Sequence, residues 1–168
     1  MSDKISVLFV CTGNICRSPT ADGIFRTLVE KAGWKDLFKV DSAGTAAHYV
    51  GEPPDRRAQK HAKARGYDLS KLRARFIAPS DFEKFDHVLV MDRKNMREME
   101  KVQQYCRAPK AKLQFLLDYH PVNKGGEVPD PYGGEDKDFE QVLDLVEAAC
   151  ENLLKTLLQE KGLTNCAC

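Results

Sequence analysis

The 168-residue sequence lacks any apolar run of the roughly 20 residues that a membrane-spanning helix needs. The N-terminal stretch MSDKISVLFV is too short for a secretory signal, and no small-residue cleavage site follows it. The formal net charge is only +1, so the overall charge does not favour binding to nucleic acid or to an anionic membrane. The sequence therefore predicts a cytoplasmic protein that has neither nucleic acid nor a membrane as a partner.

Cysteine is present six times, but residues 17–105 contain none. The spacings do not form two CxxC pairs with intervening histidines, which argues against a structural zinc site. In a reducing compartment the default state is free thiols. Cys166 and Cys168 fall in a C-terminal tail, 162–168, that we expect to be frayed. Two exposed thiols are the favoured interpretation of this pair, and a metal or redox role is the alternative.

The remaining composition, 42% hydrophobic and 30% charged, is that of a globular protein, and the length suits one domain over residues 1–168. Hydrophobic periodicity predicts strands at 5–10, 38–42, 87–91 and 112–116, and helices at 21–32, 55–65, 93–105 and 139–157. Alternating strands and helices indicate an α/β fold with a parallel sheet covered on both faces. Ligands of such sheets bind at the carboxyl ends of the strands, so the loops after Val10, Ser42 and Met91 should share one rim.

The loop Cys11–Pro19 connects the first strand to the first helix. Ser18 is a good helix N-cap and Pro19 suits a first helical turn. Gly13 and Asn14 tolerate left-handed backbone conformations. Such a loop can turn its backbone N–H groups inward and form an anion-binding nest at the start of a helix.

Two side chains of this loop suit phosphate chemistry. Arg17 can grip phosphate oxygens with two parallel hydrogen bonds. A positive environment of this kind favours the thiolate of Cys11, which is the form that attacks phosphorus. The spacing matches the C-x5-R-[S/T] pattern of cysteine-dependent phosphatases, between a strand and a helix as that pattern requires. The alternative is that Cys11 is a small buried side chain and Arg17 a solvated charge.

The stretch VLFVCTGNICRSPTADGIFR resembles the N-terminal signature of the low-molecular-weight protein tyrosine phosphatases. Later segments agree in order: VDSAGT at 40–45, GEPPD at 51–55, FDHVLVMD at 85–92 and DPYGG at 130–134. The resemblance implies a single-domain, flavodoxin-like, four-stranded parallel sheet. It also implies hydrolysis of a phosphotyrosine-containing protein or a small aryl phosphate through a cysteinyl-phosphate, without a metal or other cofactor.

The same resemblance implies roles for further residues. Asp130, which from its neighbours alone is either a general acid or an ordinary Asp-Pro turn residue, corresponds to the family's general acid and base. The Ser18 hydroxyl would bond the Cys11 thiolate. Asn14 and Ser42 would keep the loop in shape, although Ser42 could also be an ordinary strand-end residue. Asp92 follows the third strand at the same rim, and we expect it to have a supporting role at most.

Cys16 has two interpretations, a small buried loop residue or, as the resemblance implies, a resolving thiol that traps oxidised Cys11 as a disulfide. The expected pocket walls are contributed by the loop and by two later segments: Thr12, Ile15, His48, Tyr49 and Tyr132. Relatives resembling arginine phosphatases carry threonine at the position of Ile15, so Ile15 favours phosphotyrosine.

Two alternatives remain for the activity. An arsenate reductase could use the same loop, but such enzymes carry a close downstream cysteine pair, which residues 17–105 do not contain. A silent phosphate-binding module would be expected to lack either the nucleophile or the acid, and both are present here. For the assembly state we expect a monomer or a weak dimer.

Overall fold

The computed structural model of the protein describes residues 4–163, and its centre is one parallel sheet. The strands are β1 (Ile5–Cys11), β2 (Phe38–Gly44), β3 (His87–Val90) and β4 (Lys112–Phe115), arranged in the order β2-β1-β3-β4. Each neighbouring pair is parallel, with Cys11 of β1 beside Gly44 of β2. The predicted four-stranded parallel sheet is therefore confirmed.

In the described part of the chain, five α-helices connect or follow these strands: α1 (Arg17–Lys31), α2 (Arg56–Ala64), α3 (Asp81–Lys84), α4 (Arg93–Gln103) and α5 (Asp136–Glu160). Short 3₁₀ helices cover Lys35–Leu37 and Leu116–Tyr119. These two segments and α3 escaped sequence prediction because three or four residues are too few to show a helical period. Within residues 4–163, no helix combines the length and the apolar character that crossing a membrane would require.

The two faces of the sheet carry separate hydrophobic cores, as alternation along a strand requires. Val7 and Phe9 of β1 belong to the core that contains the apolar faces of α1 and α5. Leu8 and Val10 point the other way, into the core that contains Phe82 of α3 and side chains of α4. Helices thus cover both faces, and the loops at the ends of the strands are left to form the site.

Helix α5 ends in a defined turn. Gly162, at φ 71°, donates its N–H to the carbonyl of Gln159, and the N–H of Leu163 donates to the carbonyl of Leu158 at 2.8 Å. Leu163 also packs against the main core. Gly162 thus closes the helix, and Leu163 contacts the core; the expected fraying of the tail stays a prediction. Cys166 and Cys168 lie outside the described residues.

The carboxyl ends of β1 and β2 approach each other closely. A Cβ atom on Gly44 would lie 2.6 Å from the backbone oxygen of Thr12, so this position accepts only glycine. The strand order reverses at β1, since β2 lies on one side of it and β3 on the other. In open α/β sheets this reversal opens a crevice at the carboxyl ends of the strands. Cys11, the last residue of β1, stands at that crevice.

Candidate active site

The loop after β1 wraps around the Cys11 sulfur. Asn14 has φ 58°, the only positive φ among the non-glycine residues that the structure describes, and this bend turns the chain back on itself. As a result the Asn14 N–H donates to Cys11 Sγ at 3.3 Å. The amides at the start of α1 lack intrahelical acceptors, as in every helix. The loop therefore presents the Asn14 amide to the sulfur, next to the helix-start amides that could bind an anion.

Ser18 does not cap α1, which corrects the prediction from the sequence. The helix begins at Arg17, and Cys16 occupies the cap position without a side-chain cap bond. The Ser18 hydroxyl is instead 3.0 Å from Cys11 Sγ, and it also accepts a hydrogen bond from Asn14 Nδ2 at 2.7 Å. Its hydrogen-bonding capacity is used inside the site, so it is not available to the helix backbone.

The Asn14 side chain organises this network, and its orientation follows from its partners. Its Oδ1 accepts from the backbone N–H of Arg75 at 3.0 Å, so its Nδ2 must be the donor to Ser18 and, at 3.0 Å, to Ser42. Since the Ser18 oxygen already accepts from Asn14, its own hydrogen can point to Cys11 Sγ at 3.0 Å or to the carbonyl of Ala43 at 3.4 Å. The structure thus brings Asn14, Ser18 and Ser42 together as the sequence predicted.

Arg17 is 2% exposed and lies in the same loop, at the first position of α1. Its Nη1 donates to Asp92 Oδ2 at 2.6 Å and to the carbonyl of Val128 at 3.0 Å, while Nη2 is 3.8 Å from Asp130 Oδ2. Burial by itself would lower the pKa of Arg17, but the Cys11 sulfur and the two carboxylates raise it overall. The guanidinium therefore carries a fixed positive charge, and its contacts with Asp92 and the Val128 carbonyl hold it in place.

Helix α4 braces the loop from the other side, through contacts that sequence reasoning valued too little or missed. Asp92 caps α4 by accepting from the Asn95 N–H with Oδ1, while its Oδ2 holds Arg17. The fully buried Asn95 donates from Nδ2 to Thr12 Oγ1 at 3.1 Å. An acidic residue directly after a buried strand and before a helix was a usable signal for Asp92. No local signal pointed to Asn95.

A cavity of about 200 Å³ opens above the Cys11 sulfur. All the predicted catalytic and wall residues line it, whereas the supporting residues Asn14, Ser18 and Ser42 do not. The lining residues are Cys11, Thr12, Gly13, Ile15, Cys16, Arg17, His48, Tyr49, Asp130 and Tyr132. The Tyr49 and Tyr132 rings meet edge to face at the mouth, 6.2 Å between centroids. Pockets for drug-sized ligands measure roughly 300–1,000 Å³, so this one suits a phosphate with a single ring.

Cys16 is buried, at 4% exposure, next to the cavity floor. Burial is the largest influence on its pKa, followed by the charges of Asp55 and Cys11, and all three raise it well above the ordinary value for a thiol. Cys16 therefore stays protonated and does not compete with Cys11 as a nucleophile. Within residues 4–163, no group of three or more His, Cys, Asp or Glu side chains is placed to hold a metal ion.

Residues 6–163 match the model of the family described as low molecular weight phosphotyrosine protein phosphatase. The chain belongs to this family. The predicted family resemblance is thus confirmed, and the protein is a low-molecular-weight protein-tyrosine-phosphatase.

Individual relatives of this phosphatase agree over nearly its whole length. The human low molecular weight phosphotyrosine protein phosphatase is 41% identical over 150 residues, which cover 89% of this chain and 94% of the human one. A crystal structure of a protein tyrosine phosphatase from Entamoeba histolytica has a TM-score of 0.84 at 37% identity, covering 95% and 99%. The structure of the Drosophila arginine phosphatase has a TM-score of 0.84 at 33% identity, covering 90% and 96%.

Proposed function

We propose that this protein hydrolyses phosphotyrosine or similar aryl phosphate monoesters, with Cys11 as the nucleophile. The observation that carries the proposal is the setting of the Cys11 sulfur. It lies within 3.3 Å of the Asn14 amide and 3.0 Å of the Ser18 hydroxyl, in one cavity with Arg17 and Asp130. The Asn14 amide and the Ser18 hydroxyl can donate hydrogen bonds to a negatively charged sulfur, and the buried guanidinium supplies positive charge for a phosphate.

In the first step, a sulfur lone pair of Cys11 attacks phosphorus. An S–P bond forms while the P–O bond to the aryl group breaks, and the leaving oxygen takes a proton from the Asp130 carboxyl. Charge on the three equatorial oxygens is stabilised by Arg17 and the inward-facing amides of the loop. The position of Asp130 at the cavity mouth, with 54% of its side chain exposed, suits a group that must meet the leaving oxygen.

In the second step, a water oxygen attacks the same phosphorus. The Asp130 carboxylate takes a proton from that water, the S–P bond breaks, and inorganic phosphate leaves with the Cys11 thiolate restored. The Ser18 hydroxyl helps this step, since it can donate to the sulfur as negative charge returns there. Asn14 and Ser42 act by holding Ser18 and the loop in position.

The cavity walls support an aryl substrate over phosphoarginine. Ile15 belongs to the loop Cys11–Pro19, which we call the phosphate loop, and its side chain is apolar and 9% exposed. It therefore offers no hydrogen-bond acceptor to a guanidinium group. Tyr49 and Tyr132 contact each other edge to face and form one aromatic wall, against which a substrate ring can pack in an edge or offset contact. His48 extends this aromatic wall, with its ring 6.5 Å from that of Tyr49.

The test of this function is hydrolysis of an aryl phosphate in the presence of EDTA, comparing wild type with Asp130→Ala. We expect wild-type turnover to survive chelation. The variant should lose about 10²-fold or more in kcat/KM for a substrate with a poor leaving group, because general acids contribute about 10²–10⁴-fold. A substrate with a good leaving group should lose much less, since it departs without a proton.

Asp130 is exposed enough that its replacement should leave the thermal unfolding midpoint nearly unchanged. Inactive, well-folded and reduced wild type would overturn the proposed function. Equal losses on both substrates in Asp130→Ala would remove Asp130 from the acid role while leaving the nucleophile in place.

We further propose that Cys16 protects Cys11 during oxidation. Peroxide would convert the Cys11 thiolate to a sulfenic acid, with reduction of the peroxide and release of one water or alcohol. The Cys16 sulfur would then attack the Cys11 sulfur while its proton passes to the departing hydroxyl, which leaves as a second water. The product is a disulfide that an external dithiol reduces. The support is that both sulfurs border the same cavity in a buried setting. A thiolate in such a pair stays active only in a reducing compartment, which favours the cytoplasm.

Cys16→Ser should retain hydrolysis but lose recovery from peroxide. Wild type should regain most of its activity when a dithiol is added after a short peroxide exposure. The variant should not, because its sulfenic acid has no resolving thiol and proceeds to irreversible sulfinic acid. Activity before and after the dithiol is the measurement, and mass spectrometry identifies the Cys11 product. Equal recovery in both proteins would contradict the protective role.

A further inference from the structure

The segment that carries Asp130 is long and has little regular structure. Residues 120–135 join the 3₁₀ helix at Leu116–Tyr119 to α5, and most of residues 121–127 are exposed. We call residues 127–134 the acid loop. Its placement relative to the phosphate loop decides where the Asp130 carboxyl meets a leaving oxygen, and misplacement by about 1 Å can cost up to 10²-fold in rate.

Two backbone bonds attach the acid loop to the core just before Asp130. The Val128 N–H donates to the carbonyl of Met91 at 2.8 Å, and the Val128 carbonyl accepts from Arg17 Nη1 at 3.0 Å. Val128 is 1% exposed. These bonds fix the position of Val128 only. The path of the chain before Val128 must therefore be fixed by other contacts.

Glu127 provides that further contact. Its Oε2 accepts from the backbone N–H of Arg93 at 2.8 Å, and its Oε1 accepts from Arg93 Nη1 at 3.1 Å. Arg93 is the first residue of α4, so its N–H is one of the donors that a helix leaves without an internal acceptor. A carboxylate is favoured there by the helix dipole as well as by the guanidinium.

The same turn of α4 also holds the phosphate loop. Asp92 accepts from Arg17, and Asn95 donates to Thr12. One helical turn therefore contacts the phosphate loop through Asp92 and Asn95, and the acid loop through Arg93. We propose that Glu127 is a positioning residue for Asp130, because its bond pair with Arg93 sets the acid loop in register with the phosphate loop. This inference rests on the proposed function.

The expected effect is moderate. Arg93 and Glu127 have side-chain exposures of 65% and 42%, and solvent weakens exposed ion pairs. We expect Glu127→Ala to lose about fivefold in kcat/KM for phenyl phosphate, the upper end of what exposed pairs contribute. Glu127→Gln keeps an oxygen acceptor for the Arg93 N–H and should lose less. With 2,4-dinitrophenyl phosphate, whose leaving group needs no proton, both variants should resemble wild type.

If Glu127 acts by positioning Asp130, a double variant distinguishes this role from a general effect on the structure. In the Asp130→Ala background, Glu127→Ala should cause no further loss on phenyl phosphate, because the group that it positions is gone. The matched control is Glu100→Ala, which removes one exposed carboxylate from α4 away from the acid loop and should keep full activity on both substrates. Unfolding midpoints of all variants should lie close together, since Glu127 and Glu100 are exposed.

The outcomes separate the inference from the proposed function. Equal losses on the two substrates, or a fivefold loss that persists in the Asp130→Ala background, would overturn the positioning role while Cys11 and Asp130 keep theirs. No loss on either substrate in Glu127→Ala would overturn it as well. If Asp130→Ala itself showed no dependence on the leaving group, the acid role would fail, and the inference with it.

Discussion

Replacing Cys11 by serine should abolish turnover of aryl phosphates while leaving the fold and phosphate binding intact. A serine hydroxyl is a much weaker acid and a weaker nucleophile than a cysteine thiol, so no effective nucleophile faces phosphorus. We expect kcat to fall on the order of 10⁴- to 10⁶-fold, the scale seen when the nucleophile of a covalent hydrolase is removed. Arg17 and the loop amides remain, so binding of inorganic phosphate should persist.

The measurement for Cys11→Ser has two parts. Steady-state hydrolysis gives the loss of turnover, and acid-quenched single-turnover reactions with labelled substrate show whether a covalent phosphoenzyme forms. Cys106→Ser is the matched control, because Cys106 is partly exposed and lies outside the cavity. A Cys11→Ser protein that still forms a phosphoenzyme, or that retains a tenth of wild-type turnover, would rule out the thiolate mechanism.

Arg17→Lys should lose about 10³-fold in kcat/KM although it keeps the positive charge. A lysine ammonium cannot offer two parallel N–H donors to phosphate oxygens, and losing one preorganised donor costs about 10²–10³-fold. It also cannot reach Asp92 and the Val128 carbonyl in the geometry of the guanidinium. Unsatisfied buried acceptors should therefore lower the free energy of unfolding by about 1–3 kcal/mol.

The activity loss of Arg17→Lys must be separated from its stability loss. Denaturant unfolding gives the second quantity, and kinetics well below the unfolding midpoint give the first. Arg26→Lys is the matched control on the same helix, since Arg26 is half exposed, pairs with Asp22 and lies outside the cavity. It should keep wild-type kinetics. If kcat/KM of Arg17→Lys lay within threefold of wild type, the paired N–H donors of the guanidinium would not be needed for catalysis.

Both large effects depend on a loop that the sequence identifies well. β1 is a run of apolar residues directly before Cys11, and the apolar stripe of α5 extends over several turns. Hydrophobic patterns of this length arise because one face of each strand or helix is buried. The sequence therefore determined the strands, the long helices and the parallel sheet. The C-x5-R spacing likewise determined that Cys11 and Arg17 would share a loop.

The tertiary structure decided how the side chains within that loop are used. Ser18 had two possible partners, the α1 backbone and the Cys11 sulfur, and its sequence neighbours favour the first. The structure favours the second because Asn14, held by the backbone of Arg75, donates to Ser18. That last contact joins residues 61 positions apart, beyond the range of any local pattern.

The supporting contacts of Arg17 and the acid loop follow the same rule. Asp92 is 75 positions from Arg17, and Asn95 is 83 positions from Thr12, yet they meet because β1 and β3 end side by side in the sheet. Glu127 meets Arg93 only because the chain returns to the start of α4 after β4. Strand adjacency brings these partners together, and one sequence does not reveal adjacency. The sequence therefore determined which chemistry the loop carries, and the packing of the strands determined which side chains hold that chemistry in place.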